Sequence, residues 1–180
     1  MSRRWPAKGK RRPPAGVDHP KVQSRYVNGV TIRPLRNGDT ETVCVLFGRL
    51  GDESRRRRFG GAKPRLSQEE LAQLARVDSK HHVLVAYLAG VTGPVGIARL
   101  ARQGRIAEVA FAVADEHQGH GIGSALARVL ADDARAAGIV ELHATVTGNS
   151  RQVASLLAGP ATRLSTTWAG GQPALVAALD

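Results

Sequence analysis

The clearest alternation of apolar and polar positions runs through residues 105–114. Ile106, Glu108, Ala110 and Ala112 fall on one face of an extended chain there, and Ala107, Val109, Phe111 and Val113 on the other. Two apolar stretches before it, His82–Tyr87 and Pro94–Leu100, are set off by turn residues at Ala89–Gly93 and Gln103-Gly104. Together the three segments predict an antiparallel meander. Upstream, Val30–Pro34 predicts a strand with Pro34 at an edge or end. Asn37-Gly38-Asp39 reads as a turn, and Asp39 or Thr40 as the cap of a helix running to about Leu50. Asp52-Glu53-Ser54 starts a short helical piece that carries Arg55–Arg58. Ser67 and Glu70 have the spacing of a capping box, followed by Leu71, Leu74 and Ala75 at helical spacing to about Val77. After the meander a glycine run, Gln118–Gly123, opens a helix of about Gly121 to Ala137 that Gly138 stops. A strand at Val140–Val146, a helix from near Asn149, and two strands near 161–168 and 174–179 joined at Gly170-Gly171 complete the pattern. This order is neither a regular βαβ series nor all-β. It predicts an α/β fold with helices around one mixed sheet, without repeats or an internal linker.

Charge divides the chain differently. Of the net +11, residues 1–27 contribute +7, and they are rich in Pro and Gly without apolar periodicity. This segment reads as a disordered basic tail ahead of a single domain at 28–180. It serves solubility, or weak, salt-sensitive contact with an acidic partner or nucleic acid. No apolar run nears the ~20 residues that span a bilayer, and the basic N-terminus lacks the apolar core of a secretory signal. The chain is therefore read as cytoplasmic, with no membrane partner. The single cysteine, Cys44, excludes an intramolecular disulfide and reads as a small buried hydrophobe.

The glycine run is the strongest chemical signal. Bare backbone amides at a helix start form a cradle for phosphate. A P-loop is excluded, because Gly123-Ser124-Ala125 has no lysine. A Rossmann site is excluded as well. Ser124 stands where its third glycine belongs, and the acid at the right distance, Glu141, begins its strand instead of ending one. His117 and His120 lie three apart without further metal ligands, so no metal site is read. Gln118, Gly121 and Gly123 do satisfy Gln/Arg-x-x-Gly-x-Gly/Ala, the motif of the GNAT N-acetyltransferases. Glu108–Val113 before the run and Ser124-Ala125-Leu126 after it also resemble that family, as does the element order from about residue 28 to the C-terminus.

The resemblance implies a GNAT fold, with a mostly antiparallel sheet splayed between its fourth and fifth strands. It implies acetyl-CoA as cosubstrate. The pyrophosphate would rest on Gln118, Gly119, His120, Gly121, Ile122, Gly123 and Ser124, and the pantetheine arm along Phe111, Ala112 and Val113. An amide near Val113 would polarise the thioester carbonyl. Asn149 matches a cofactor-contacting asparagine, although no tyrosine follows it to serve as the acid for the thiolate. Glu108, on a face otherwise floored by alanine, is the candidate base; its other role would be a cross-strand ion pair with Arg99 or another arginine. Acceptor specificity should lie in 35–77. There Arg49–Phe59, together with the Ala107-Glu108-Val109-Ala110-Phe111 context, resembles bacterial protein-lysine acetyltransferases. The arginine run either steers an acidic surface or the CoA 3′-phosphate, or forms a solvated helix face. The resulting reading is direct acetyl transfer to a primary amine such as a protein lysine. The alternatives are a small-molecule amine acetyltransferase and a non-catalytic acyl-CoA-binding module with a docking tail. A homodimer is left open.

Overall fold

Alternation at period two places two apolar faces on the central strands, so helices must cover the sheet on both sides. The computed structural model describes residues 24–146, 150–169 and 171–179 and has this arrangement. Strands β1 (Arg25–Val27) and β2 (Val30–Pro34) are followed by helices α1 (Thr40–Gly48), α2 (Asp52–Phe59) and α3 (Gln68–Leu74). The meander is β3 (His81–Leu88), β4 (Gly96–Gln103) and β5 (Ile106–Val113). A 3-10 turn at Asp115–His117 leads to α4 (Ile122–Ala136), then β6 (Glu141–Thr145), α5 (Ser150–Ala158), β7 (Arg163–Ala169) and β8 (Gln172–Ala178). The eight strands form one sheet in the order β1-β2-β3-β4-β5-β6-β8-β7. Every neighbouring pair is antiparallel except β5–β6, which is parallel.

Helix α4 fixes one face of the core. Ile122, Ala125, Leu126, Val129 and Leu130 recur at helical spacing and are buried against Leu84, Ala86, Ala98 and Val109 of the sheet. On the opposite face Val83 and Val85 meet Val43 of α1 and Leu71 and Ala75 near α3. Local signals close the helices as the sequence predicts. Asp39 accepts from the Thr42 amide, and Ser67 and Glu70 form a reciprocal capping box. Gly138, with φ 74°, follows Ala137, the C-cap of α4.

Three readings change. Strand β1 lies inside the segment read as tail; residues 1–23 lie outside the described residues. Its hairpin to β2 turns at Asn28-Gly29, both with positive φ (48° and 82°), which suits a tight two-residue hairpin turn. The sheet's fourth and fifth predicted strands are thereby β5 and β6. Cys44 is exposed, because the buried stripe of α1 is Val43, Leu46 and Phe47, and Cys44 is rotated off it. The arginine run is not a solvated face: only Arg56 is fully exposed, while Arg55, Arg57 and Arg58 are partly buried. Arg55 stacks on Phe47, with its guanidinium carbon 4.5 Å from the ring centre.

Candidate active site

The one parallel pair in the sheet also creates its gap. Strand β5 runs beside β4 in unbroken register from Ile106 to Val113, but meets β6 only over Ile106–Glu108. From Val109 onward the two strands part. The β5 edge there faces a cleft of about 910 Å³, bounded by β5, β6, the glycine turn, α2 and α5. Phe111, Ala112, Val113, Gln118, Gly119, Gly121, Ile122, Gly123 and Ser124 all line it. His120 is exposed and is not among the lining residues, whereas His117 is. Asn149 lies outside the described residues.

The three glycines of the run serve different needs. Gly119 and Gly121 both have φ 78°, a conformation that L side chains rarely adopt, and open space where a Cβ would stand. Gly121 is the N-cap of α4 and no side chain caps that helix, whose first turn also lacks an acidic residue. Amides of its first turn therefore remain as donors at the positive end of the helix. Gly123 is buried, and a Cβ there would stand 2.7 Å from Leu156 Cδ2. Its absent side chain lets α4 and α5 approach. Gln118 braces the turn: its Nε2 lies 3.1 Å from the Val113 carbonyl, 3.1 Å from Ser54 Oγ and 3.2 Å from Asp115 Oδ1. Ser54, a buried polar residue of α2, thus ties that helix to the turn. Arg57 of α2 donates from Nη1 to Gln152 Oε1 of α5 at 3.1 Å, joining two walls of the cleft. A cradle of unbulky positive-φ backbone and free helix-start amides fits a pyrophosphate, and a one-sided strand edge beyond it fits an extended amide-containing arm.

Glu108 lines the same cleft and is exposed. It shares its face with Ala110 and Ala112, as alternation predicts, while Ala107 and Val109 are buried in the core under α4. The ion pair with Arg99 does not form. Arg99 Nη2 instead donates to the Gln73 carbonyl at 3.0 Å, and no ion pair of the described residues includes Glu108. Glu108 still feels two cations, Arg58 of α2 and Arg99 of β4. Burial lowers the Arg58 guanidinium from its ordinary value, the Arg99 charge adds to this, and Glu108 opposes it. Burial also lowers Arg99, against the opposing pull of Glu108. Sequence reading did not place Arg58 in the site. Its only local sign is the i, i+3 spacing with Arg55 in a helix without an apolar stripe.

The cleft thus joins a glycine turn with free helix-start amides, an open strand edge and an exposed carboxylate. Residues 51–156, more than half the chain, match the model of the Acetyltransferase (GNAT) family. The chain belongs to that family. This GNAT acetyltransferase is 31 % identical over 151 residues to Acetyltransferase Pat of Mycolicibacterium smegmatis, covering 82 % of this chain and 44 % of that protein. It is 33 % identical over 133 residues to Acetyltransferase PA5475 of Pseudomonas aeruginosa, with 71 % of each chain covered. The acetyltransferase thus spans less than half the length of the mycobacterial relative. Its fold superimposes on the GNAT domain of S. lividans PAT with a TM-score of 0.73 at 27 % identity, over 83 % of this chain and 90 % of that one.

Proposed function

We propose that this acetyltransferase moves the acetyl group of acetyl-CoA directly to a primary amine bound beside Glu108, and that the amine is a protein lysine. The observation that carries the reading is the position of Glu108, on the open side of β5 where β6 departs, between the strand edge and the acceptor-side helix α2. Gly119, Gly121 and the first amides of α4 hold the pyrophosphate. Residues 111–113 align the pantetheine arm and present an amide to the thioester carbonyl. Acetyl-CoA supplies an activated acyl group on a good thiolate leaving group.

The chain's own chemistry is to prepare the amine. An ammonium with an ordinary pKa of about 10.4 is almost wholly protonated at neutral pH and cannot attack. Glu108 accepts its proton, directly or through one water, as the new N–C bond forms and the C–S bond breaks. The thiolate takes a proton from solvent, since neither Tyr26 nor Tyr87 lines the cleft. The resemblance of Arg49–Phe59 and of the Ala107–Phe111 context to bacterial protein-lysine acetyltransferases favours a lysine acceptor. An acceptor screen tests it: acetyl-CoA is offered with lysine-containing proteins, peptides and small polyamines, and released thiol is read with mass analysis of the acceptor. The expected result is acetyl-lysine on peptide or protein. Transfer to small amines alone would replace the lysine reading. Acetyl-CoA binding with no transfer to any amine would leave a binding module instead.

A further inference from the structure

Arg58 at the acceptor end of the cleft and Arg99 in the small cavity beside it are two cations that neither the sheet nor deprotonation of an amine requires. Arg99 stands opposite Ala110 in the β4–β5 ladder, so its side chain leaves on the face that carries Glu108 and Ala110. Arg58 reaches the same place from α2. Both line a small cavity of about 30 Å³ whose other walls, including Leu46, Phe47, Leu66 and Ile97, are apolar. Arg58 is poised over the Phe59 ring, 5.2 Å from its centre. Arg99 Nε is buried without a hydrogen-bond partner, although Nη2 of the same group is paired to Gln73. No ion pair of the described residues includes either arginine.

With every charge that acts on the pair counted, Arg58, Arg99 and Arg76 stand against Glu108 and Asp78, which leaves an excess of positive charge. Such a site repels a bare ammonium. A guanidinium N–H held out of water without an acceptor is costly, and a carboxylate relieves that cost with short, charge-assisted bonds. The cavity has room for a group the size of about two waters, which suits a carboxylate head and no ring. Burial, the first cause of the downward shift of both guanidinium groups, keeps them out of water beside this cavity.

We propose that the acceptor carries a carboxylate close to the reacting amine, and that Arg58 and Arg99 bind this carboxylate while Glu108 faces the amine. This rests on the acetyl-transfer reading and names the acceptor class within it. The carboxylate has two sources, an Asp or Glu side chain next to a lysine, or the α-carboxylate of a free amino acid.

The test uses the full chain and two sets of matched acceptors. One is the blocked peptide Gly-Lys-Asp amide against Gly-Lys-Asn amide, with the corresponding pair inverted around the lysine. The other is free L-amino acids against their carboxamides. The wild type should favour the carboxylate member of one set by at least about tenfold in kcat/KM, and the set identifies the source. Arg58→Gln and Arg99→Gln should each reduce the ratio below about threefold, with Arg99→Lys restoring part of it. Two arginine variants guard against one that fails to fold. Equal use of both members, or a preference that survives both Gln substitutions, overturns the proposal. Calorimetric binding of the Nε-acetylated peptides separates this from a failure of acetyl transfer. If nothing is turned over, tighter binding of the Asp product that Arg99→Gln abolishes still supports the proposal, and equal binding of both products overturns it.

Discussion

Glu108→Gln isolates proton removal from binding. The substitution keeps the shape of the side chain and removes its charge. The site is exposed and in no ion pair of the described residues, so the loss of its attraction to Arg58 and Arg99 should lower folding stability by no more than about 1 kcal/mol. The kinetic cost follows from the amine. At pH 7.4 a lysine with an ordinary pKa of about 10.4 is neutral about once in a thousand molecules. A base beside it removes that penalty, so the variant should lose about 10³ in kcat/KM. At about 1.36 kcal/mol per tenfold this is roughly 4 kcal/mol, within the range for a positioned general base. The rate of the variant should then climb about tenfold per pH unit toward pH 10, where solvent deprotonates the amine without help. Thiol release at saturating acetyl-CoA between pH 6 and 10, with calorimetric acetyl-CoA affinity as control, reads both quantities. A variant within threefold of the wild type at pH 7.4, with a parallel pH profile, would refute the assignment of Glu108 as base.

Other consequences follow from the same structure. Gly121→Ala forces a side chain into φ 78° at the N-cap of α4; it should cost about 1–2 kcal/mol and weaken acetyl-CoA binding by calorimetry, and unchanged affinity would count against the cradle. Gly123→Val drives its Cβ into Leu156 Cδ2, 2.7 Å away; it should destabilise the fold by about 1–3 kcal/mol in urea melts, and Leu156→Ala in the same chain should recover part of the loss. Leu130→Ala empties a fully buried site under the sheet and should cost about 2–5 kcal/mol. Asp133 links three elements, meeting His82 Nε2 of β3 at 2.8 Å and Arg25 of β1. Burial pushes its carboxyl up, but hydrogen bonds and charges from His82 and Arg25 outweigh burial and the net shift is downward. A depressed folded value stabilises above the unfolded value of about 3.9 and is lost as pH falls through the folded value. Urea midpoints of the wild type should thus fall more steeply than those of Asp133→Asn as pH drops below about 4, and equal slopes would contradict the link.

What could be read from the chain depended on how local its cause is. The capping of α1 and α3, the stop at Gly138 and the face shared by Glu108, Ala110 and Ala112 are set by neighbours within a few residues, and all were legible. The extent of α4 was legible for the same reason. Strand β1 was obscured by the basic composition around it, although the Asn28-Gly29 pair, a tight-turn dipeptide with both φ positive, carried the signal. The role of Gly123 was hidden because Leu156 lies on another helix, and a motif glycine reads as ligand contact when its reason is packing. The arginine run was hardest. Its residues share one charge but divide among stacking on Phe47, a bridge to Gln152 and the acceptor cavity, and only the placement of α2 against β5 decides which goes where.

The central claim is that the parting of β5 and β6, with the glycine turn at its head, is the donor site beside Glu108. A structure of the chain with CoA bound tests it most directly. The pyrophosphate should lie against the amides of residues 119–124, the pantetheine arm along residues 111–113, and the thiol near Glu108. CoA bound elsewhere, or with its thiol pointing away from Glu108, would contradict the account.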